Sequence, residues 1–178
     1  VLDVSLSDEL SALSRDEVDV AIRGGYAPNE RVLAIKLMGN QFVPVAAPSY
    51  LADMGTPTYA TELKQHKGLY FRTPNGPTPW LSYIKGQWQD VSAPQVAVSN
   101  NGKWLGELAA QGKGVLMAPR WAAAHHLASG ELVELVLEPQ VQISQNNDMA
   151  VYLLYQKQRY LVPKVKAVVD FLVARVKH

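Results

Sequence analysis

The stretch Pro94–Pro119, PQVAVSNNGKWLGELAAQGKGVLMAP, constrains this chain more than any other. It reads as a strand, a polar helix start, a helix, a tight turn and a buried strand. In Gln95–Ser99 apolar and polar residues alternate with the period of a strand, Leu105, Leu108 and Ala109 fall on one helical face, and Val115–Ala118 is a short apolar run suited to a sheet interior. Ser99, Asn100 and Asn101 stand where the helix begins. Their side chains can accept from its first amides, and those amides, with the positive end of the helix dipole, favour a carboxylate or similar group nearby. Gly112 and Gly114 bracket Lys113 where the helix must stop and the chain reverse, a place for residues that tolerate positive φ. Two readings of the unit stand side by side: a ligand-holding helix start, or an ordinary capped crossover helix.

On either side the pattern continues to alternate strands with helices. Leu2, Val4 and Leu6 alternate with polar residues and predict a first strand, followed by a brief helix whose cap and acidic first turn are Ser7, Asp8 and Glu9. Val18–Gly25, VDVAIRGG, predicts a strand ending in Arg-Gly-Gly, and Val32–Leu37 and Gln41–Ala47 predict two more. Pro44 inside the last of these removes a ladder donor, which points to an edge or irregular pairing. Helices are predicted over Ser49–Met54, Ala60–His66 and Trp121–Leu127, and strands over Leu69–Arg72, Leu132–Val136 and Met149–Tyr155. Trp80–Ile84 and Gln87–Val91 flank Lys85-Gly86 and read as a hairpin. The stripe Val165, Val168, Val169, Leu172, Val173, Val176 predicts a closing amphipathic helix that shows Lys164, Lys166 and Arg175 to water. Alternating strands and helices argue for α/β layers around a mainly parallel sheet.

Composition removes several classes of function. With 178 residues and 48% hydrophobic content the chain can bury a substantial core in one domain or two small lobes. Its longest apolar run, Val162–Val176, is interrupted by Lys164, Lys166, Asp170 and Arg175, so no membrane span is expected. A formal net charge of +1, from 17 basic and 16 acidic side chains, is too balanced for a surface built to neutralise phosphates, and the chain by itself is expected to bind DNA poorly. Without cysteine there is neither a disulfide framework nor a thiolate metal site. The sequence contains no HExxH, GxSxG, Walker loop or GxGxxG, and His66, His125, His126 and His178 assemble no acid, base and nucleophile set, so no catalytic residues are expected. Adjacent on a helix, His125 and His126 point about 100 degrees apart. With no carboxylate close by, they predict no metal site, and no cofactor is expected. Trp80, Trp88 and Trp121 read as buried anchors; Trp104 follows the helix start closely enough to wall a pocket, but core packing is the reading expected for it too.

Four stretches in fixed order carry a resemblance: SDELSALSRDEVDVAIR from Ser7 to Arg23, VAAPSYL from Val45 to Leu51, SNNG from Ser99 with AAQGKGVLMAP ending at Pro119, and YLVPKVKAVVDFL from Tyr160 to Leu172. Together they resemble the effector-binding domain of LysR-type transcriptional regulators, over nearly the whole chain. The resemblance implies an α/β fold of two Rossmann-like lobes joined by two crossing strands, similar to type II periplasmic solute-binding proteins. Lobe one would comprise 1–47 with 155–178, and lobe two 48–154. The family pattern begins with a further strand and a long helix ahead of Val1, so roughly 30 residues of such a domain are expected upstream, from ordinary strand and helix lengths.

Carried onto this sequence, the resemblance implies a ligand set of Ser7, Arg23, Phe71, Arg72, Ser99, Asn100, Asn101 and Pro119. Arg23 beside Gly24 and Gly25 either reaches an anionic ligand in the cleft or pairs with Asp19. Arg72 either faces the effector or is an exposed loop cation. The implied function is ligand sensing: a small, anionic effector binds between the lobes of a cytoplasmic homodimer or tetramer and modulates DNA binding by a separate N-terminal helix-turn-helix domain. The alternative is a solute-binding protein of a membrane importer. An upstream signal peptide would favour that alternative, and an upstream helix-turn-helix would favour regulation.

Overall fold

The computed structural model describes residues 1–6, 18–25, 32–146 and 148–176. In chain order the elements are β1 (Ala21–Gly25), β2 (Leu33–Gly39), β3 (Phe42–Ala46), α1 (Pro48–Met54), a 3-10 turn (Ala60–Gln65), β4 (Gly68–Thr73), β5 (Gly76–Pro77), β6 (Leu81–Ile84) and β7 (Gln87–Asp90). They continue with β8 (Gln95–Ser99), α2 (Gly102–Ala110), β9 (Val115–Pro119), α3 (Arg120–Ser129), β10 (Val133–Glu134), β11 (Val141–Gln142), β12 (Ala150–Tyr155), a 3-10 turn (Lys157–Leu161) and α4 (Pro163–Val176). The chain divides into two compact units, Val1–Gln41 with Asp148–His178, and Phe42–Asn147. These divisions fall six or seven residues before those read from the sequence, because β3 bonds into the second unit's sheet and β12 into the first unit's.

In the first unit β12 lies between β1 and β2, antiparallel to both. Leu153 and Tyr155 of β12, with Ile35 and Leu37 of β2, meet the apolar stripe of α4, where Val165 and Val169 are buried and Leu172 and Val173 pack beside them. Asp19 ties the chain ahead of β1 to this layer: its Oδ1 accepts from Arg159 at 3.0 Å and its Oδ2 from Lys164 at 2.7 Å. Those hydrogen bonds, Lys164 first, hold the Asp19 carboxyl below its usual range. Residues 1–6 form no strand and leave Leu2, Val4 and Leu6 exposed. Alternation makes a strand only where a neighbour supplies a ladder, and residues 1–6 have no such neighbour among the described residues. The brief helix expected from Ser7 lies outside the described residues.

The second unit is built on the order β10-β3-β9-β4, with β8 on the far side of β4. Its pairing is mixed, not mainly parallel: β4 runs parallel to β8 and β9, whereas β3 is antiparallel to β9 and β10. Pro44 is correspondingly not on an edge. It stands opposite Met117, and its carbonyl accepts from Leu135 at 2.9 Å, just past the end of β10. A strand residue aims its N–H and C=O to the same side, so the missing donor faces the place where that ladder has stopped. The hairpin β6–β7 turns at Lys85 and Gly86, both at positive φ (50° and 84°), the two-residue geometry that matches strand twist. β11 adds to β6. Among the tryptophans only Trp80 is fully buried, stacked on Tyr70 with ring centroids 4.7 Å apart; Trp121 is 53% exposed, a correction to its reading as an anchor.

The α2 end and the start of β9 show why two glycines stand there for different reasons. Gly112, at φ 75°, donates to the Ala109 carbonyl while Lys113 donates to Leu108, the paired bonds of a left-handed helix end. Gly114 has no positive φ; a Cβ on it would lie 2.6 Å from the Lys67 carbonyl oxygen, next to the bond from Val115 N–H to that same oxygen at 2.8 Å. Gly114→Ala is therefore expected to lower the unfolding free energy by about 1 to 3 kcal/mol. Gly39→Ala, with nothing within 4 Å of the added carbon, is expected to be near neutral in the same urea titration.

His66 is buried under α1. The Tyr50 hydroxyl accepts from the Lys67 amide at 2.9 Å and lies 3.1 Å from His66 Nδ1, to which it can donate when the imidazole is neutral with its hydrogen on Nε2. Burial holds the His66 pKa below its ordinary value despite the nearby Glu62 carboxylate. A depressed histidine binds fewer protons folded than unfolded, so its contribution is complete above about pH 6.5 and is lost as pH falls through the folded value. In His66→Asn the amide oxygen can still accept from Tyr50, and urea midpoints measured against pH should lose the part of the acid-side decline due to His66.

Candidate functional site

The parallel ladder brings the carboxyl ends of three strands to one edge of the second unit. Phe71 of β4 stands beside Ser99 of β8. Gly68 pairs with Val115 and Leu69 with Leu116, where the β4–β9 ladder ends; Pro119 closes β9 three residues on, while Arg72 pairs with Pro77 of β5. Both α2 and α3 begin at this edge, since each follows directly from β8 or β9. Ligands of open α/β sheets gather at such an edge because helix starts and loops converge there.

The helix start is organised by its own side chains. Ser99 Oγ accepts from the Asn101 amide at 3.0 Å, and Asn101 Oδ1 accepts from the Trp104 amide at 3.0 Å. The Leu105 amide closes on the Asn101 carbonyl at 3.1 Å. Among the described residues this leaves the amides of Gly102 and Lys103 without a protein acceptor, at the positive end of the dipole. The Phe71 ring lies against Gly102, 3.8 Å from where a Cβ would be. An apolar wall and two open amides thus stand together, with the exposed Arg72 next along β4 and the exposed Lys103 next along α2. α3 starts at Pro119 without any side-chain cap, and adds a second positive helix end to the edge. The arrangement offers hydrogen-bond donors and an apolar wall of the kind that a small anion with an apolar body would use.

A protein-family model described as the LysR substrate binding domain matches residues 1–177. The chain belongs to this family. The LysR domain is 25% identical, over 94% of its length, to an uncharacterized HTH-type transcriptional regulator of Haemophilus influenzae, of which it covers 56%. It is 27% identical to the HTH-type transcriptional regulator PtxR of Pseudomonas aeruginosa, over 93% of this chain and 51% of that protein. The chain therefore spans about half the length of the curated relatives it matches. Among solved structures it is similar to the CrgA regulatory domain, a LysR-type transcriptional regulator from Neisseria meningitidis, with a TM-score of 0.78 at 23% identity over 96% of this chain and 81% of that one. It is also similar to the full-length Vibrio cholerae virulence activator AphB, with a TM-score of 0.75 at 26% identity over 98% of this chain and 57% of that one. The α/β two-lobe fold read from the sequence is the fold of these regulatory domains.

Of the residues read as ligand-binding, the LysR domain brings Phe71, Arg72, Ser99, Asn100, Asn101 and Pro119 together at one edge of its second unit. Arg23 belongs to the first unit. It does not end a buried strand: it is central in β1 opposite Tyr152, the strand continues through Gly24 and Gly25, and Ile22 beside it is 55% exposed. Ser7 lies outside the described residues. Trp104 is 43% exposed one turn into α2, so it remains open to a ligand. Phe42 was missed by sequence reasoning; it stands opposite Pro119 through an antiparallel register that no local pattern reveals. The reading of His125 and His126 is corrected too. Glu131, five residues on and past the end of α3, approaches His126 Nδ1 to 2.7 Å, and the three side chains can converge. Hydrogen bonds from His126 and then Ser129 hold the Glu131 carboxyl below its usual range.

The cap itself is testable. Asn101→Ala is expected to cost about 0.5 to 2 kcal/mol of unfolding free energy and Asn101→Gly only a few tenths, read by urea denaturation, because glycine reaches the cap conformation and leaves the amides to water.

Proposed function

We propose that this chain is the ligand-sensing regulatory domain of a LysR-type transcription factor and that it binds a small anionic effector at the α2 start. The observation that carries this reading is the convergence of Phe71, Arg72, Ser99–Gly102 and Pro119 on one strand edge, with the Gly102 and Lys103 amides open. The named relatives are transcriptional regulators, not enzymes or importer components, which disfavours the solute-carrier alternative. Regulation in the full-length protein would run through an upstream helix-turn-helix domain and a homodimer or tetramer in the cytoplasm. Among the described residues no helix is long and apolar enough to cross a membrane. The effector needs only a modest preference for one arrangement: a coupling of about 1 to 3 kcal/mol alters occupancy several-fold to over a hundred-fold.

A thermal-shift screen of small carboxylic acids, amino acids and aromatic acids tests this directly. A ligand present at a hundred times its dissociation constant stabilises by about 2.7 kcal/mol. Asn100→Ala and Arg72→Ala should each weaken a confirmed hit, since both residues stand at the edge of the second unit where α2 begins. If neither variant changes the affinity of a hit, the proposed site is wrong.

A further inference from the structure

The C-terminal end of α3 carries a cluster that effector binding does not use. His125, His126 and Glu131 each place a ligand atom within 4.8 Å of the other two. The imidazole rings of His125 and His126 stand nearly perpendicular, 88° apart, with centroids separated by 5.8 Å. Neighbouring positions on a helix diverge, so the cluster depends on the chain folding back. α3 ends in Gly130 at φ 77°, the Leu132 amide closes on the His126 carbonyl at 3.1 Å, and Glu131 is carried back over the last turn. There its Oε2 accepts from Ser129 Oγ at 3.1 Å as well as lying 2.7 Å from His126 Nδ1. The carboxylate is thus held in place from two sides before any ion arrives. On α2, Gly106 faces His126: even a Cβ there would lie 3.7 Å from Nε2, and its absence leaves the ring room to reorient.

Two imidazole nitrogens and one carboxylate oxygen form a donor set for borderline cations such as zinc, nickel or cobalt, whereas magnesium and calcium prefer all-oxygen shells. With both imidazoles neutral the three side chains carry one negative charge, and the C-terminal end of the helix dipole adds to the attraction for a cation. Ligand atoms around tetrahedral zinc stand roughly 3.4 Å apart, from bond lengths near 2.0 to 2.1 Å. Closing on an ion requires the exposed His125 side chain to rotate and the 2.7 Å His126 Nδ1–Glu131 hydrogen bond to give way, with its proton displaced or His126 presenting Nε2 instead. The remaining coordination position faces solvent and would be filled by water.

From this geometry we infer that His125, His126 and Glu131 form a surface site for a divalent transition-metal ion of the zinc class. The inference stands apart from the effector reading, since none of the three residues belongs to the α2 start.

Calorimetric titration of the tag-free chain with zinc chloride, and in parallel with magnesium chloride, tests it, together with visible absorption of added cobalt as a report on coordination. The expected result is a single zinc ion per chain, no response to magnesium, and a cobalt spectrum of low coordination number. His125→Ala and Glu131→Gln should each weaken zinc binding by about tenfold or more, with the circular-dichroism spectrum unchanged as the check on folding. His178→Ala, which removes the last histidine of the sequence, should leave binding intact. No zinc binding, equal binding by His125→Ala, or loss of binding in His178→Ala would each overturn the proposal and leave the cluster as a hydrogen-bonded helix end.

Discussion

The ladder that holds β4 between β8 and β9, parallel to both, is the constraint on which the second unit depends. Parallel neighbours cannot be joined by a tight turn, so α2 must carry the chain from β8 to β9, past β4, and both helices that follow these strands start at the same edge. The close approach that makes the ladder possible is local and steric. Val115 bonds to the Lys67 carbonyl while Gly114 leaves space for that same oxygen, and the Tyr70 hydroxyl donates to the Ala93 carbonyl at 2.6 Å to fix the chain leading into β8. Burial against Trp80 pushes the Tyr70 hydroxyl pKa up to about 12, so this bond keeps its proton throughout the physiological range.

From that ladder the character of the α2 start follows. Ser99 and Asn101 satisfy the amides of Asn101 and Trp104 from within, and so set a boundary on what an incoming group can use: Gly102 and Lys103 N–H on one side and the Phe71 ring on the other. A bare inorganic anion would leave the ring unused, and a purely apolar molecule would leave two donors unmet. A carboxylate with an apolar body answers both, which is the physical content of the anionic-effector reading.

Much of this was legible in local patterns. The alternation of Gln95–Ser99, the cap residues after it, the Lys85-Gly86 turn and the α4 stripe depend only on neighbours a few residues away, and each appears in the structure where its pattern places it. Elsewhere local patterns fell short. Leu2, Val4 and Leu6 alternate like a strand but have no ladder among the described residues; of the two readings of Pro44, edge or irregular pairing, the second holds, inside a sheet whose neighbouring strand has already ended; Trp121 reads as an anchor from its size, although it is exposed on α3. For Pro44 the deciding neighbour, Leu135, lies far along the chain.

By itself, then, the sequence determined most of the strands and helices, the caps and turn glycines, and the family whose pattern they follow, because backbone conformation and capping answer to residues within one turn of themselves. Tertiary structure alone decided that β3 lies antiparallel beside β9 so that Phe42 meets Pro119, that β11 joins β6, and that Glu131 returns to His126. Those outcomes rest on hydrogen bonds between strands, and on a chain reversal at a left-handed glycine, whose partners are chosen by how the whole unit packs and not by any residue's own preference.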